Sequence, residues 1–363
     1  MSMISVLIPV YKESNLLETL LNQLLKDEYR DKEIITVIDE PTKTSMNLAK
    51  KYKKQVKFIL NKVRKGKVTA LNEATKIAKG DIFLFLDSDI KVNSDNFLSK
   101  VVDNIRNHDI IDFKVDTISN SFFSKIVNYD YLAMNFFEHL FSGVKRSMGV
   151  NGAAFAVKKD FFQGIGGLKN VPLEDWEIGF QSYLSNKAYK HVEDISISTK
   201  VPSFMKNWLS QRKRWSIGAG IQCRNHWKDY LKVSKKYPKI SLLSLIFMLP
   251  LVITFLFSFS LFEDAIFFSI MLLTFKLPFL FPIFFFASWS LLLFKNIFLF
   301  SLSYLSTSVI FYVASKKINF NYKNREFLCY YILYSPISTC FYLFHFIRGI
   351  FSSEEVILED WKV

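Results

Sequence analysis

The chain has 363 residues, 50% hydrophobic and 17% aromatic with 38 phenylalanines, a heavier apolar load than one soluble α/β domain spends on its core. Only 8 of the 47 basic and 7 of the 33 acidic residues lie from Ser241 onward, so nearly all of the net charge of +14 belongs to the first two thirds. This excludes a uniformly soluble chain and predicts a basic domain followed by a membrane segment, its basic face drawn to membrane lipids and anionic substrates. No finger, RNA-binding or helix-turn-helix signature accompanies the charge, so no nucleic acid is expected as a partner. Cys223, Cys329 and Cys340 lack CxxC spacing, which predicts buried spare thiols rather than a disulfide framework or a zinc site. Met1 to Val10 lacks a basic stretch followed by an apolar one, so no cleaved signal peptide is expected and the soluble domain is placed in the cytoplasm.

Ile4 to Val10 is a short β-branched run, followed by Leu16, Leu17, Leu20, Leu21, Leu24 and Leu25 at helical spacing, with Asn15 and Glu18 as the expected capping pair. The alternation continues with a strand at Glu33 to Ile38, a helix at Thr44 to Lys54, a strand at Val56 to Leu60 and a helix at Val68 to Ala78. Alternating strands and helices predict parallel pairing with right-handed crossovers, a doubly wound nucleotide-binding α/β architecture. Next comes Gly80-Asp81-Ile82-Phe83-Leu84-Phe85-Leu86-Asp87-Ser88-Asp89, whose unbroken apolar run reads as a strand buried on both faces. Its two closing carboxylates emerge at the carboxyl edge, where open α/β sheets bind ligands, and converging on a divalent cation is one use for them. Closing a turn or capping a helix is another.

Pro9-Val10-Tyr11-Lys12-Glu13 and Asp39-Glu40-Pro41 exit at the same edge, where acids accept from a ribose or a base. In Lys65-Gly66-Lys67, a lysine at a helix N-terminus is placed to meet phosphate oxygens, unless it is simply solvated. A helix at Asn96 to Arg106 and a strand at Ile110 to Val115 follow. Phe122 to Phe141 is a helix-length aromatic stretch, suited to an acceptor groove, a membrane interface or a buried core position. Val150 to Val157 is rich in small residues, permitting either a close ligand or tight packing. Pro172-Leu173-Glu174-Asp175-Trp176-Glu177 opens a helix reaching Leu184, where acids are favoured by the helix dipole whatever else they do.

Phe204 to Trp227 sets tryptophans among lysines and arginines, the pattern of a helix lying at a membrane surface. Within it, Gln211, Arg214 and Trp215 are spaced to share one face. Four apolar stretches follow: Leu242 to Phe262, Ala265 to Phe294, Ile297 to Ser315 and Phe327 to Ile347, giving a multi-pass protein of about four spans. Four spans would put Lys316, Lys317, Lys323 and Arg325 outside, against the positive-inside rule; an additional crossing within Ala265 to Phe294 would return them to the cytoplasm. The expected layout is a nucleotide-binding domain at 1–202, interface helices at 203–240, a transmembrane region at 241–350 and a tail at 351–363.

In order, PVYKE, Asp39, KGKxxALN, FLFLDSD, GxxAFAVKKD followed by GIGG, LEDW and QRKRW resemble the family 2 glycosyltransferases of GT-A fold, over about Met1 to Trp215. The likeness is to the membrane-integrated branch that includes cellulose and hyaluronan synthases and ceramide glucosyltransferase. It implies a GT-A domain in which Pro9, Tyr11, Glu13, Asp39, Lys67, Asp87, Ser88 and Asp89 surround a nucleotide-diphosphate sugar, UDP-linked in preference to GDP-linked. Asp87 and Asp89 match the DxD motif that holds a divalent metal, magnesium or manganese. Asp175 matches the catalytic base of the ED motif. Glu174, Gln211, Arg212, Arg214 and Trp215 fall at the donor and acceptor site. The implied activity is inverting hexosyl transfer to a lipid or lipid-linked acceptor, with a growing polysaccharide as second choice; a polyprenyl-phosphate sugar synthase or a non-catalytic nucleotide-sugar-binding membrane protein ranks below these.

Overall fold

The computed structural model describes residues 2–118, 121–201, 205–239, 241–242, 264 and 281–352, without the side chains of 281–289 and 291. These fall into two units, one comprising the chain up to Lys232 together with the stretch from Phe341, the other running from Val233 to Cys340.

The first unit is built on an eight-stranded sheet in the order β3-β2-β1-β4-β7-β6-β8-β5. Strand β1 (Ile4–Tyr11) pairs in parallel with β2 (Lys32–Asp39) and with β4 (Ile82–Leu86), and β2 pairs in parallel with β3 (Lys57–Asn61). All five residues of β4 are buried, as an uninterrupted apolar strand requires. Helix α1 (Leu17–Lys26) buries Leu17, Leu20, Leu21 and Leu24, the helically spaced leucines. Its expected Asn15 cap does not form: the N-cap is Leu16, with no side-chain cap bond, and Glu18 turns away to pair with Lys51. Helix α2 (Lys43–Tyr52) starts in a reciprocal box in which the Ser45 N–H donates to the Thr42 hydroxyl and the Thr42 N–H to the Ser45 hydroxyl. Helix α3 (Lys67–Ile77) follows Gly66, whose φ of +88° suits a residue without Cβ.

Beyond β4 the sheet is mixed, and here the doubly wound expectation is too simple. The short β5 (Ile90–Val92) and helix α4 (Phe97–Ile105) lead to β6 (Ile110–Ile118). Strand β7 (Ala154–Lys158), the small-residue stretch, inserts antiparallel between β4 and β6. The edge is completed by β8 (Tyr189–Lys200), parallel to β6 and antiparallel to β5. Strand β8 alternates partly buried with buried positions and lacks a long apolar run, which is why periodicity gave little warning of it.

Helix α5 (Phe122–Ser142) is a core helix on one face, burying Ile126, Val127, Tyr129, Tyr131 and Leu132. It is keyed to the sheet through buried Asn135, which accepts from the Val115 N–H at 3.0 Å and donates to the Val115 carbonyl at 2.8 Å. Short α6 (Lys159–Gly164) and then α7 (Glu174–Leu184) follow β7. Helix α8 (Met205–Lys236) is broken at His226, where φ and ψ are −119° and 16°.

The second unit contains most of α9 to α11: α9 (Phe281–Lys317), α10 (Asn324–Cys329), a π-type turn at Tyr330–Tyr334, and α11 (Ser335–Phe351), which continues into the first unit. Two stretches, Leu292–Lys317 and Asn324–Phe351, are long and apolar enough to cross a membrane, with mean hydropathy 1.8 and 1.4. Each is only 22% buried, so their apolar side chains face outward, unlike those of a soluble core helix. They contain the expected third and fourth spans; of the first two, residues 243–262 and 265–280 lie outside the described residues, and residues 281–294 belong to the same continuous helix α9 as the third. The three cysteines are free, Cys223 and Cys329 half-buried and Cys340 exposed rather than buried.

Candidate active site

The carboxyl ends of β1, β2 and β4 and the start of α3 enclose a cavity of about 350 Å³. Among its lining residues are all eight positions expected around the nucleotide: Pro9, Tyr11, Glu13, Asp39, Lys67, Asp87, Ser88 and Asp89. They meet because parallel strands β1, β2 and β4 deliver their C-terminal residues to one edge. Two residues at that edge, Lys12 and Glu40, hold left-handed φ values of 60° and 51°, the strained backbone that often accompanies a functional turn.

Asp39 has a defined structural task. Its Oδ2 accepts the N–H groups of Lys65 and Gly66 at 2.9 and 2.8 Å, and its Oδ1 accepts from Asn61 Nδ2 at 2.9 Å. It therefore fastens the loop that delivers Lys67 to the cavity. Glu13 accepts from the Thr42 hydroxyl at 2.6 Å, and the Tyr11 hydroxyl donates to Glu40 at 3.2 Å. The Arg64 guanidinium lies 4.2 Å over the half-exposed Tyr11 ring, a flat cationic platform that the residue-by-residue reading overlooked.

Lys67 is the hub. Its ammonium lies 2.8 Å from Asp87 and 3.1 Å from Glu174, and donates to the Gly152 carbonyl at 3.2 Å. Residues about ninety positions apart, one just past β4 and the other in the first turn of α7, thereby share one cation. Burial alone would lower the Lys67 pKa, but Asp87, Glu174 and Asp175 outweigh it and hold the ammonium above the usual lysine range. Burial, with the neighbouring Asp89 charge, pushes Asp87 up to about 6 despite Lys67. Burial also opposes ionisation of Glu174, yet Lys67 and Arg214 prevail and hold it below the usual glutamate range. Asp175 goes the other way: burial and then the Glu174 charge raise it to about 7, against the pull of Lys67, the Trp176 N–H and Arg214. Two adjacent carboxyls thus acquire opposite tendencies, the split that acid–base chemistry exploits.

The backbone is shaped around Asp175. A Cβ built on Gly152 would come within 2.1 Å of Asp175 Oδ2, so only glycine fits there while the carboxylate keeps its place. The other carboxylate oxygen accepts the Trp176 N–H at 2.8 Å.

The α8 residues divide. Arg214 is exposed and close enough for its charge to lower both Glu174 and Asp175. Arg212 is buried, ion-paired with Asp130 at 2.9 Å, and its guanidinium lies 4.4 Å over the Trp215 ring and 5.7 Å from that of Trp208. It braces α8 against α5. Gln211 and Trp215 are half-buried.

Residues suited to a divalent cation are present twice. Asp87 and Asp89 both line the cavity, and Asp87 is raised by burial even with Lys67 beside it, so the pair offers oxygens that a hard cation would complete. Asp112, Glu138 and His191, which the motifs gave no reason to single out, have potential ligand atoms within 4.8 Å of one another. Asp112 there already accepts from Tyr189, His191 and the Asn151 N–H, so packing accounts for that group.

The chain is 25% identical to a poly-β-1,6-N-acetyl-D-glucosamine synthase of Staphylococcus epidermidis over 263 residues, 67% of this chain and 60% of that one. It thus spans about three fifths of that relative's length. It is 41% identical over 103 residues to a poly(ribitol-phosphate) β-glucosyltransferase of Bacillus spizizenii, covering 26% of this chain and 16% of that one. The fold is similar to that of a mannosyltransferase from Pyrobaculum calidifontis solved with GDP-Man and Mn²⁺, with a TM-score of 0.51 at 17% identity over 64% of each chain. Residues 5–166 of this GT-A-like domain carry the match to the profile of glycosyl transferase family 2.

Proposed function

We propose that this protein is a membrane-bound, inverting glycosyltransferase that moves a sugar from a nucleoside-diphosphate donor to a membrane-held acceptor. The observation that carries this reading is the raised Asp175 carboxyl beside the depressed Glu174, tied through Lys67 to Asp87 in the nucleotide cavity. In the reaction, an acceptor hydroxyl oxygen attacks the anomeric carbon from the face opposite the diphosphate. The bond from that carbon to the diphosphate oxygen breaks, and Asp175 takes the hydroxyl proton. Pro9, Tyr11 and Glu13 border the nucleoside, Asp39 holds the loop that presents Lys67, and Lys67 faces the phosphates. Arg214 supplies positive charge beside the two acids, and Gln211 and Trp215 contribute to the acceptor side. Asp87 and Asp89 would hold magnesium or manganese, which when bound offsets the negative charge of the departing diphosphate.

A lipid or lipid-linked acceptor is the first choice, supported by the two outward-facing apolar segments. Polymerisation into a β-linked polysaccharide is the second, favoured by the similarity to the Staphylococcus synthase. The test is turnover of labelled UDP-glucose, UDP-galactose, UDP-N-acetylglucosamine and GDP-mannose by purified protein with magnesium or manganese. Organic-soluble product supports the lipid acceptor and a large polymer the polysaccharide; no consumption of any donor rejects sugar transfer.

A further inference from the structure

A second cavity, of about 440 Å³, lies between α8 and α11 within the first unit and shares no lining residue with the nucleotide cavity. Its walls follow helical spacing: Lys206, Leu209, Ser210 and Lys213 lie along one face of α8, and Phe341, His345 and Arg348 along one face of α11. The two helices meet backbone to backbone. A Cβ on Gly220 would come within 2.2 Å of the Phe346 carbonyl, and one on Gly349 within 2.3 Å of the Ile217 carbonyl. The Arg224 guanidinium closes the crossing by donating to the Ser352 carbonyl. The cavity therefore has fixed walls.

Its charge is unbalanced. Among the described residues, Lys206, Lys213 and Arg348 form no ion pair with an acid. His345 is 8% exposed, yet its Nδ1 has no hydrogen-bond partner among the described residues. A buried ring nitrogen left without a partner costs free energy that a ligand oxygen would recover. Leu209 and Phe341 complete the lining with apolar surface, and Phe344, Ile347 and Phe351 stand 67%, 53% and 83% exposed on the same stretch of α11. Such a stretch suits acyl chains, at the end of a segment able to cross a bilayer.

We infer that this cavity binds the phosphodiester headgroup of an anionic glycerophospholipid. Lys206, Lys213 and Arg348 surround the phosphate, a turn of the buried His345 ring brings its Nδ1–H to one of the phosphate oxygens, and the acyl chains leave along Phe344, Ile347 and Phe351. Free phosphate would satisfy the cations but leave the apolar lining unused, and a zwitterionic headgroup would bring its own cation among three others. The site does not depend on the sugar-transfer reading.

The test uses the full chain in neutral detergent, titrated with dioctanoyl phosphatidylglycerol and followed by native mass spectrometry. Dioctanoyl phosphatidylcholine is the control lipid and inorganic phosphate the competitor. One phosphatidylglycerol is expected to bind in preference to phosphatidylcholine. The Lys206→Gln/Lys213→Gln/Arg348→Gln variant should weaken it by about 100-fold, and the Lys206→Arg/Lys213→Arg variant should retain it. An unchanged melting temperature shows that the triple variant is folded; should it unfold, Lys206→Gln alone, at an exposed position, carries the test with an expected loss of about fivefold. Equal binding by the neutralised variant, equal binding of phosphatidylcholine, or displacement by an equal concentration of inorganic phosphate would each overturn the assignment.

Discussion

Asp175→Asn tests the centre of the mechanism, because it removes the charge and the proton-accepting oxygen while keeping the side chain's size. The carboxyl stands at about 7 against an ordinary 3.8, raised first by burial and then by Glu174. A base with that pKa is half ionised near pH 7, so kcat/KM should climb tenfold per pH unit below 7 and level off above it. The asparagine variant should lose about 10²–10⁴-fold in turnover, together with that rising limb.

Stability should move the opposite way. An acid whose folded pKa is raised binds protons more tightly in the folded state, so its destabilising effect is absent below about pH 4, grows with pH and is complete above about pH 7. Three units at about 1.4 kcal/mol each set a ceiling of roughly 4 kcal/mol. Asp175 keeps partial solvent access and has Lys67 nearby, which brings the expected gain on Asp175→Asn to about 1–2 kcal/mol at pH 8. That corresponds to a melting temperature higher by about 2–6 °C, with a smaller difference at pH 5.5. Turnover within tenfold of the parent protein would refute Asp175 as the base. A lower melting temperature at pH 8 would refute the charge argument.

Gly152→Ala should push the Asp175 carboxylate out of place and lower kcat by about 10²-fold, while UDP affinity, measured by calorimetry, changes little. Asp89→Asn should raise the magnesium or manganese concentration needed for half-maximal turnover at least about tenfold, read from metal titrations at fixed donor. Asp39→Ala releases the Lys65 and Gly66 N–H groups, so the donor KM should rise about tenfold and hydrogen exchange in that loop should quicken. Arg212→Met removes the 2.9 Å ion pair with Asp130 and should lower the melting temperature, whereas Arg214→Met should reduce turnover with little change in melting.

The sequence made the parallel half readable because each buried strand there is one apolar run ending in polar residues at the cavity: Val10 into Tyr11, Ile38 into Asp39, Leu86 into Asp87. The antiparallel half was obscure for the opposite reason. Ala154, Ala156 and Val157 are small enough to permit either a close ligand or tight packing, and only their insertion between β4 and β6 identifies them as a strand. Helix starts misled where a neighbour competed, as when Glu18 paired with Lys51 rather than serving the cap of α1. Arg212 is itself expected at the donor and acceptor site with Gln211, Arg214 and Trp215, yet a helical turn of 100° per residue carries its side chain to Asp130, which adjacency in a motif could not reveal.

The charge balance of the cleft joins these observations. Asp87, Glu174 and Asp175 surround Lys67, with Asp89 beside Asp87 and Arg214 near Glu174 and Asp175. With all four acids ionised, such a cleft repels a nucleoside diphosphate. Protonation of Asp87 near 6 and Asp175 near 7 relieves the repulsion, but it also removes the oxygen needed to accept a proton. Above pH 7, donor affinity should therefore fall steeply in chelator and recover with magnesium or manganese, whereas near pH 5.5 the same chelator should matter less. Equal sensitivity to chelator at both pH values, measured by UDP calorimetry, would show that these carboxylates do not govern donor entry.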